Sequence, residues 1–306
     1  MCLSLKIADQ YFSEISGVVS RALNEDIGSG DITTNVLGDK KNKKLSSAVI
    51  SKQEGVLCGS QWFDEVYKQI DKTIKITWHK NDGDSFSSQD TICEVFGPIG
   101  SLLTGERTAL NFIQLLSGVS TKTQHYINAC NSNVKILDSR KTIPGLRMAQ
   151  KYAVHCGGGT NHRLGLFDSY LIKENHINAV GNIEKIIDLA GKQAYGELHK
   201  DSFSTLDFEE RGGHCIIVEV ENIEQLEIGL KKEVDRILLD NFSKKEIIKA
   251  VKLRDTYKNK YIYLEASGGI TIKNIHSISS TGIDYISVGA LTKNIEAIDF
   301  TMLINP

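Results

Sequence analysis

Two hydrophobic rhythms run along this 306-residue chain. In the first third, helix and strand patterns are mixed. Residues 7–24 carry apolar side chains at helical spacing, while 47–57, 73–78 and 91–96 read as strands. Asn81-Asp82-Gly83-Asp84 is a turn signal, and 100–130 reads as helix in two pieces with a break at Ser117-Gly118. From residue 134 onward, short apolar strands alternate with amphipathic helices. The strands are 134–137, 170–172, 215–220, 236–239, 261–264 and 285–288. The helices are 145–155, 183–190, 223–230, 244–257 and 272–280. Repeated β-α units with short apolar strands predict a parallel sheet. About six such strands, with glycine-rich loops near the end, predict a TIM-like α/β barrel, complete or incomplete, rather than an open sheet, behind an α+β N-terminal region.

Polar residues cluster where each predicted strand stops. Asp138, Ser139, Arg140 and Lys141 follow Leu137, and Lys173 follows Ile172. Glu219 and Glu221 bracket Val220, and Asp240-Asn241 follows Leu239. Glu265 to Gly269 follows Leu264, and Gly289 follows Val288. In a β/α barrel these strand ends share one rim, which holds the active site.

Charge sharpens that picture. The chain has 36 Lys and Arg against 38 Asp and Glu. Such a balance lacks the basic excess of a nucleic-acid binder. Against it, the stretch from Ser139 to Lys173 holds six cations (Arg140, Lys141, Arg147, Lys151, Arg163, Lys173) and one acid, Asp168. Cations at strand ends suit a small polyanion, since Arg matches carboxylates and phosphates with a planar fork and Lys supplies a point charge. Arg147 and Lys151, four apart on a helix, read instead as a solvated face. Gly157-Gly158-Gly159 before His162 and Arg163 reads equally as close backbone approach to a ligand or as a flexible loop.

Glu219 and Glu221, two apart on a strand, would project to one side, where carboxylates need cations, a metal or substrate hydroxyls. With Asp240 they suit a hard cation such as Mg2+, unless one of them only pairs with Arg or Lys. The loops at 266–270 and 286–291 offer backbone N–H groups to a phosphate, or are simply tight β-α turns. Residues 26–34 read as a turn with capping residues. Cys156 reads as packing, and the six scattered cysteines read as reduced thiols. No signal peptide and no run of about 18 apolar residues is evident, so a cytoplasmic protein without a membrane partner is expected.

Taken jointly, these segments resemble the quinolinate phosphoribosyltransferases, also called nicotinate-nucleotide pyrophosphorylases. The matching stretches are ALNEDIGSGDITT (22–34), GERTALNFIQLLSGVST (105–121), RKTIPGLRMAQKYAV (140–154), GGGTNHRLGLFDSYLIKENH (157–176), VEVEN (218–222), LLDNF (238–242), EASGGI (265–270) and ISVGAL (286–291). The resemblance implies an N-terminal sandwich domain over 1–116, an incomplete barrel over 117–292, and a C-terminal segment, 293–306, returning to the N-terminal domain. It implies a homo-oligomer, a dimer or a hexamer of dimers. The implied reaction joins quinolinate to phosphoribosyl pyrophosphate with Mg2+, giving nicotinate mononucleotide, pyrophosphate and CO2 for NAD biosynthesis. By match, Arg140, His162, Arg163 and Lys173 would hold the quinolinate carboxylates, and Arg107 would reach the neighbouring subunit's site. Lys141 would face pyrophosphate. Glu219 and Asp240 would bind ribose hydroxyls and Mg2+. Ser267, Gly268, Gly269, Ser287 and Gly289 would cradle the 5′-phosphate. Ser139 stands where the family usually has Thr and keeps the hydroxyl. Residues 192–213 look longer and more polar than is usual. Two other readings use the same residues: a same-fold transferase acting on another base, such as the paralogue of molybdate-transport clusters, and a non-catalytic phosphate-ligand barrel.

Overall fold

The computed structural model describes residues 11–130, 133–195, 215–257 and 262–305. Of the polar segment 192–213, residues 196–213 lie outside them, as do the starts of the helix expected from 7 and of the strand expected from 261. The chain forms two compact units: Met1–Gln124 with Lys141–Gly159 and Ala290–Pro306, and His125–Arg140 with Thr160–Gly289.

The first unit holds a four-stranded antiparallel sheet. Its strands are β1 (Lys44–Ser51), β3 (Lys75–Trp78), β5 (Thr91–Pro98) and β12 (Phe300–Asn305), in the order β12-β1-β5-β3. The chain's last strand thus pairs with β1, Ala48 opposite Leu303. A two-residue ladder joins β2 (Gly55–Val56) to β4 (Ser85–Phe86). Helix α1 (Ile15–Ile27) precedes the sheet, and α2 (Ser60–Ile70) buries Trp62, Phe63, Val66 and Tyr67, which form one stripe at helical spacing. Asp31 caps a helical turn at Ile32–Asn35 by accepting from the Thr34 amide at 2.9 Å, so the 26–34 segment is a capping turn as expected.

Helix α3 (Ile99–Asn128) runs unbroken through Ser117-Gly118, where the sequence suggested a break. The reason is that both residues serve packing. Ser117 Oγ accepts from the Cys58 amide at 3.0 Å and donates to the Cys58 carbonyl at 3.3 Å. Ser120 Oγ donates to the Val56 carbonyl, and Thr121 Oγ1 accepts from the Val56 amide. The hydroxyls of one helix therefore satisfy the backbone of segment 56–58, which would otherwise be buried unpaired. Gly118 admits the C-terminal chain: a Cβ there would lie 2.2 Å from the Glu296 carbonyl oxygen.

Helix α4 (Arg147–Cys156) also belongs to the first unit. Lys151, expected on a solvated face, has no exposed surface, so the reading of Arg147 and Lys151 as surface cations is corrected. The helix turns Ala149, Gln150, Lys151, Ala153 and Val154 inward, while Arg147 is half-buried and donates from Nε to Thr142 Oγ1 at 3.3 Å. Gln150 accepts from the Ile143 amide and donates to the Thr292 carbonyl, tying the 141–159 segment to the C-terminal helical turn.

The second unit is a six-stranded, all-parallel sheet. Its strands are β6 (Lys135–Leu137), β7 (Ser169–Ile172), β8 (Cys215–Val220), β9 (Arg236–Asp240), β10 (Tyr263–Ser267) and β11 (Tyr285–Ser287), in the order β6-β11-β10-β9-β8-β7. The sequence-adjacent β6 and β7 stand at the two ends of this order, so the α/β barrel is incomplete. The middles of β8, β9 and β10 are buried in runs of three, as expected for strands covered on both faces. Helices α5 (Glu174–Val180), α6 (Ile183–Tyr195), α7 (Ile223–Lys231), α8 (Lys244–Thr256) and α9 (Ile275–Ser279) connect them. Asn222 caps α7, and Ser243 with Glu246 forms a capping box on α8. Strand β8 ends at Val220, so Glu221 is exposed beyond it and does not share a strand face with Glu219.

Gly118→Ala tests the close approach at α3. Alanine gains about 1 kcal/mol in helix propensity, but a methyl forced against backbone costs about 1–3 kcal/mol. The variant is expected to melt below the wild type in a thermal scan. An equal or higher Tm would mean that the 296–298 segment yields freely.

Candidate active site

Parallel strands place their C-terminal ends on one side, and the second unit's chemistry is collected there. Register pairs Ser267 with Asp240, Glu219 with Leu238, and Ser287 with Leu137. One rim therefore carries the end of β6 leading to Ser139 and Arg140, Lys173 after β7, Glu219 on β8, Asp240 on β9, Ser267 on β10 and Ser287 on β11. His162 and Arg163 belong to the same unit; Arg107 and Lys141 belong to the first. Arg107 is exposed on α3, and Lys141 is exposed with its carbonyl accepting from Thr292 Oγ1 at 2.9 Å.

The loop bearing His162 and Arg163 is pinned from below. Thr160 bridges to Leu137 at the end of β6. Asp138, fully buried, accepts from the His162 amide at 2.8 Å and from Asn161 Nδ2 at 2.7 Å. Asp168, the one acid in the cationic stretch, accepts from the Leu164 and Gly165 amides. Its charge serves the loop backbone. Arg163 Nη1 donates to the Ser169 carbonyl at 3.1 Å.

Two guanidinium groups at the rim remain incompletely paired, and Arg236 beneath it is a third with a buried, unpartnered Nε. The Nε atoms of Arg140 and Arg163 are buried and have no hydrogen-bond partner. Burial lowers the Arg163 pKa, and the neighbouring Arg140 charge lowers it further, only partly offset by Asp168. Buried donors facing a like charge are costly, and an anion with several acceptor oxygens would satisfy both. Lys173 Nζ pairs with Glu219 Oε2 across the β7 and β8 ends.

Beneath the rim lies Glu265, which was read from sequence only as part of a glycine-rich segment. Its side chain has no exposed surface. Its Oε2 lies 3.1 Å from Arg236 Nη1 and 3.4 Å from His162 Nε2. Burial pushes its pKa up, but His162, Arg236 and Ser287 outweigh burial and hold it below the ordinary value of 4.5. A charged residue inside the apolar run of β10 was the available signal. Its partners come from 29 and 103 positions away, which no local pattern reveals.

The phosphate-type loops follow β10 and β11. Gly268 (φ 90°) and Gly269 (φ 60°) take the left-handed conformation glycine favours. Gly268 is further required by Asn241: a Cβ would lie 2.1 Å from Asn241 Oδ1. The Asn241 amide in turn donates to the Ser267 carbonyl at 2.9 Å, locking the β9 and β10 ends together. The helix expected at 272–280 is only Ile275–Ser279.

For a hard cation, Glu219 and Asp240 supply oxygen donors. Asp240 Oδ2 accepts from Asn241 Nδ2 at 2.9 Å, and Glu219 pairs with Lys173. Two carboxylates fit Mg2+ when substrate oxygens and water complete its shell. Among the described residues, the one convergence of three His, Cys, Asp or Glu ligand atoms lies in the first unit, at Cys58, Asp82 and Cys156. There burial first, and then Cys156, raises the Cys58 pKa well above the ordinary thiol value, so that thiol stays protonated at neutral pH and packs. A cavity of about 870 Å³ beside β7 is lined by Arg163, Leu166, Phe167, Tyr170, His176 and Leu189 among others. It lacks the acidic and glycine-rich groups, so it is not where a phosphorylated sugar would sit. No helix among the described residues is long and apolar enough to cross a membrane.

Comparison with known proteins agrees with the geometry. Family models described as quinolinate phosphoribosyl transferase, N-terminal domain and C-terminal domain, match residues 31–117 and 119–303. The chain is 38% identical over 280 residues to a probable nicotinate-nucleotide pyrophosphorylase [carboxylating] of Bacillus subtilis, covering 91% of this chain and 89% of that one. It is 36% identical over 299 residues to the Mycobacterium leprae nicotinate-nucleotide pyrophosphorylase [carboxylating], covering 96% and 98%. Its fold is similar to that of the nicotinate-nucleotide pyrophosphorylase from Francisella tularensis, with a TM-score of 0.85, 40% identity, and 96% of each chain covered.

Glu265 also sets an acid-stability signature. Its folded pKa is depressed, so its charge contributes stability that is present above about 4.5 and lost as pH falls through the lower folded value. Urea midpoints of the wild type and Glu265→Gln should differ most at neutral pH and converge below about pH 4.5. A gap that stays constant through that range would mean the buried carboxylate is not ionised.

Proposed function

The chain belongs to the quinolinate phosphoribosyltransferase family, and on that premise we propose that the second unit's rim binds quinolinate and phosphoribosyl pyrophosphate and forms nicotinate mononucleotide for NAD biosynthesis. The observation that carries this reading is the pair of buried, unpartnered Nε–H groups on Arg140 and Arg163. A vicinal dicarboxylate brings two negative charges and four acceptor oxygens to that place. A monocarboxylate would offset only one of the two guanidinium charges.

The reaction follows from the charges at the rim. Quinolinate nitrogen donates its lone pair to C1′ of the sugar as the C1′–O bond to pyrophosphate breaks, and the bonding electrons leave with pyrophosphate. The ring nitrogen is now quaternary. The carboxylate on the adjacent carbon departs as CO2, its bonding pair stays on the ring carbon beside the cationic nitrogen, and a proton then fills that position. Arg140, Arg163 and Lys173 hold the carboxylates against their mutual repulsion, which makes the encounter effectively intramolecular. Glu219 and Asp240 receive the ribose hydroxyls and offset positive charge developing at C1′. Lys141 meets the pyrophosphate. Ser267, Gly268, Gly269, Ser287 and Gly289 offer donors to the 5′-phosphate. Mg2+, held through Glu219 and Asp240 with substrate oxygens, would neutralise the leaving pyrophosphate. Arg107 acts in a neighbouring subunit of a homo-oligomer, which accounts for an exposed cation on α3.

Arg140→Ala should fold normally by circular dichroism and lower kcat/KM for quinolinate by about 30-fold or more, since losing one partner of a buried charged contact costs roughly 2–5 kcal/mol. The assay scores CO2 and pyrophosphate release, and near-normal turnover would sink the clamp. Mixing Arg107→Ala with Arg140→Ala subunits should restore about a quarter of wild-type activity, because one site in each mixed dimer is complete. Absence of rescue would place Arg107 in its own subunit's site.

A further inference from the structure

A carboxylate with no exposed surface lies under the cationic rim, and the reaction above gives it no task. We propose that Glu265 is a positioning residue: it selects one tautomer of His162, His162 thereby fixes Arg163, and Arg163 grips the dicarboxylate. The identity of that ligand rests on the function proposed above. The tautomer does not.

The His162 ring is held at both nitrogens. The Arg163 amide N–H points to Nδ1 at 2.7 Å. An N–H can donate only to a bare nitrogen, so the ring proton sits on Nε2. Nε2 faces Glu265 Oε2 at 3.4 Å. The opposite tautomer would set N–H against N–H at Arg163 and a lone pair against a carboxylate at Glu265. Both contacts become repulsive together, so the buried charge of Glu265 and the Arg163 amide select the same proton position. The Nε2 proton that could have met substrate is committed inside the protein. His162 therefore acts through Arg163, not on the ligand.

The chain of contacts continues to the binding group. His162 fixes the Arg163 backbone, and the Ser169 carbonyl orients its guanidinium through Nη1 at 3.1 Å. What remains is the buried, unpartnered Nε. A clamp that must match carboxylate oxygens loses affinity when its backbone is free to turn.

Arg236 explains how Glu265 stays ionised although it has no exposed surface. Its Nη1 lies 3.1 Å from Glu265 Oε2, and its guanidinium carbon stands 4.3 Å from the centre of the Tyr285 ring. The cation is thus packed from the far side by an aromatic face. Removing Glu265 alone would leave Arg236 buried and uncompensated, a penalty unrelated to positioning. The informative variants remove both charges.

Glu265→Leu with Arg236→Leu deletes the ion pair and the acceptor. Glu265→Gln with Arg236→Leu deletes the charges but keeps an oxygen for Nε2–H. Positioning predicts that the Leu/Leu variant raises KM for quinolinate at least about tenfold, with KM for phosphoribosyl pyrophosphate within about twofold. The Gln/Leu variant should recover quinolinate KM to within about threefold of wild type. Nitrogen-15 NMR of the imidazole should show His162 as the Nε2–H tautomer in the wild type and as a mixture in Leu/Leu. Unchanged quinolinate KM in folded Leu/Leu, or a wild-type His162 protonated at Nδ1 alone, overturns the proposal. Should Leu/Leu not fold, the wild-type tautomer and the Gln/Leu constants still decide. A wild type that binds neither substrate would defeat the function above, while the tautomer would still test the positioning.

Discussion

Like charges held close together before any ligand arrives are the constraint on which this molecule turns. Burial is costly to the Arg163 charge, and Arg140 beside it adds to the cost, both of which lower the Arg163 pKa. The second unit tolerates this because its framework supplies counter-interactions. Lys173 pairs with Glu219, and Arg163 donates to Ser169. Asp138 accepts from the His162 amide, and Glu265 places a carboxylate against the His162 ring below the same loop. The parallel sheet makes this possible. All of its strand ends face one way, so a carboxylate from β10 and a loop bridged at Thr160 to the end of β6 meet without a long reach.

The first unit solves a different problem with small residues. One face of α3 offers Ser117, Ser120 and Thr121 hydroxyls to the backbone at Val56 and Cys58, and Gly118 to the 296–298 chain. A helix surface of large apolar residues could not have come so close to bare backbone, nor satisfied its polar groups. The same residues that weaken helix propensity in isolation are thus what binds this helix to its neighbours. Lys151 makes a related point. A cation four residues from another on an amphipathic helix looks like surface, yet this one is buried.

The barrel half was largely legible in the chain. Strand 215–220 coincides with β8, and the other five strands agree to within a few residues, because strands buried on both faces are short unbroken apolar runs that nothing else in the sequence imitates. The rim followed from polar residues at the ends of those runs. The N-terminal half was less legible. The helix Ser60–Ile70 went unread despite an apolar stripe at helical spacing, the two-residue ladder of β2 with β4 is too short to show a period, and the C-terminal strand pairs with β1 from about 250 positions away.

Sequence by itself determined the local elements, the parallel sheet and the set of cations and carboxylates at its strand ends, since these depend on hydrophobic period and on where each apolar run stops. Tertiary structure alone decided which charges touch. It buried Lys151, carried Glu221 beyond its strand, took Asp168 for a loop backbone, and brought Glu265 of β10 against His162 and Arg236. Burial and pairing are properties of distances between remote segments, and no local pattern of residues encodes those distances.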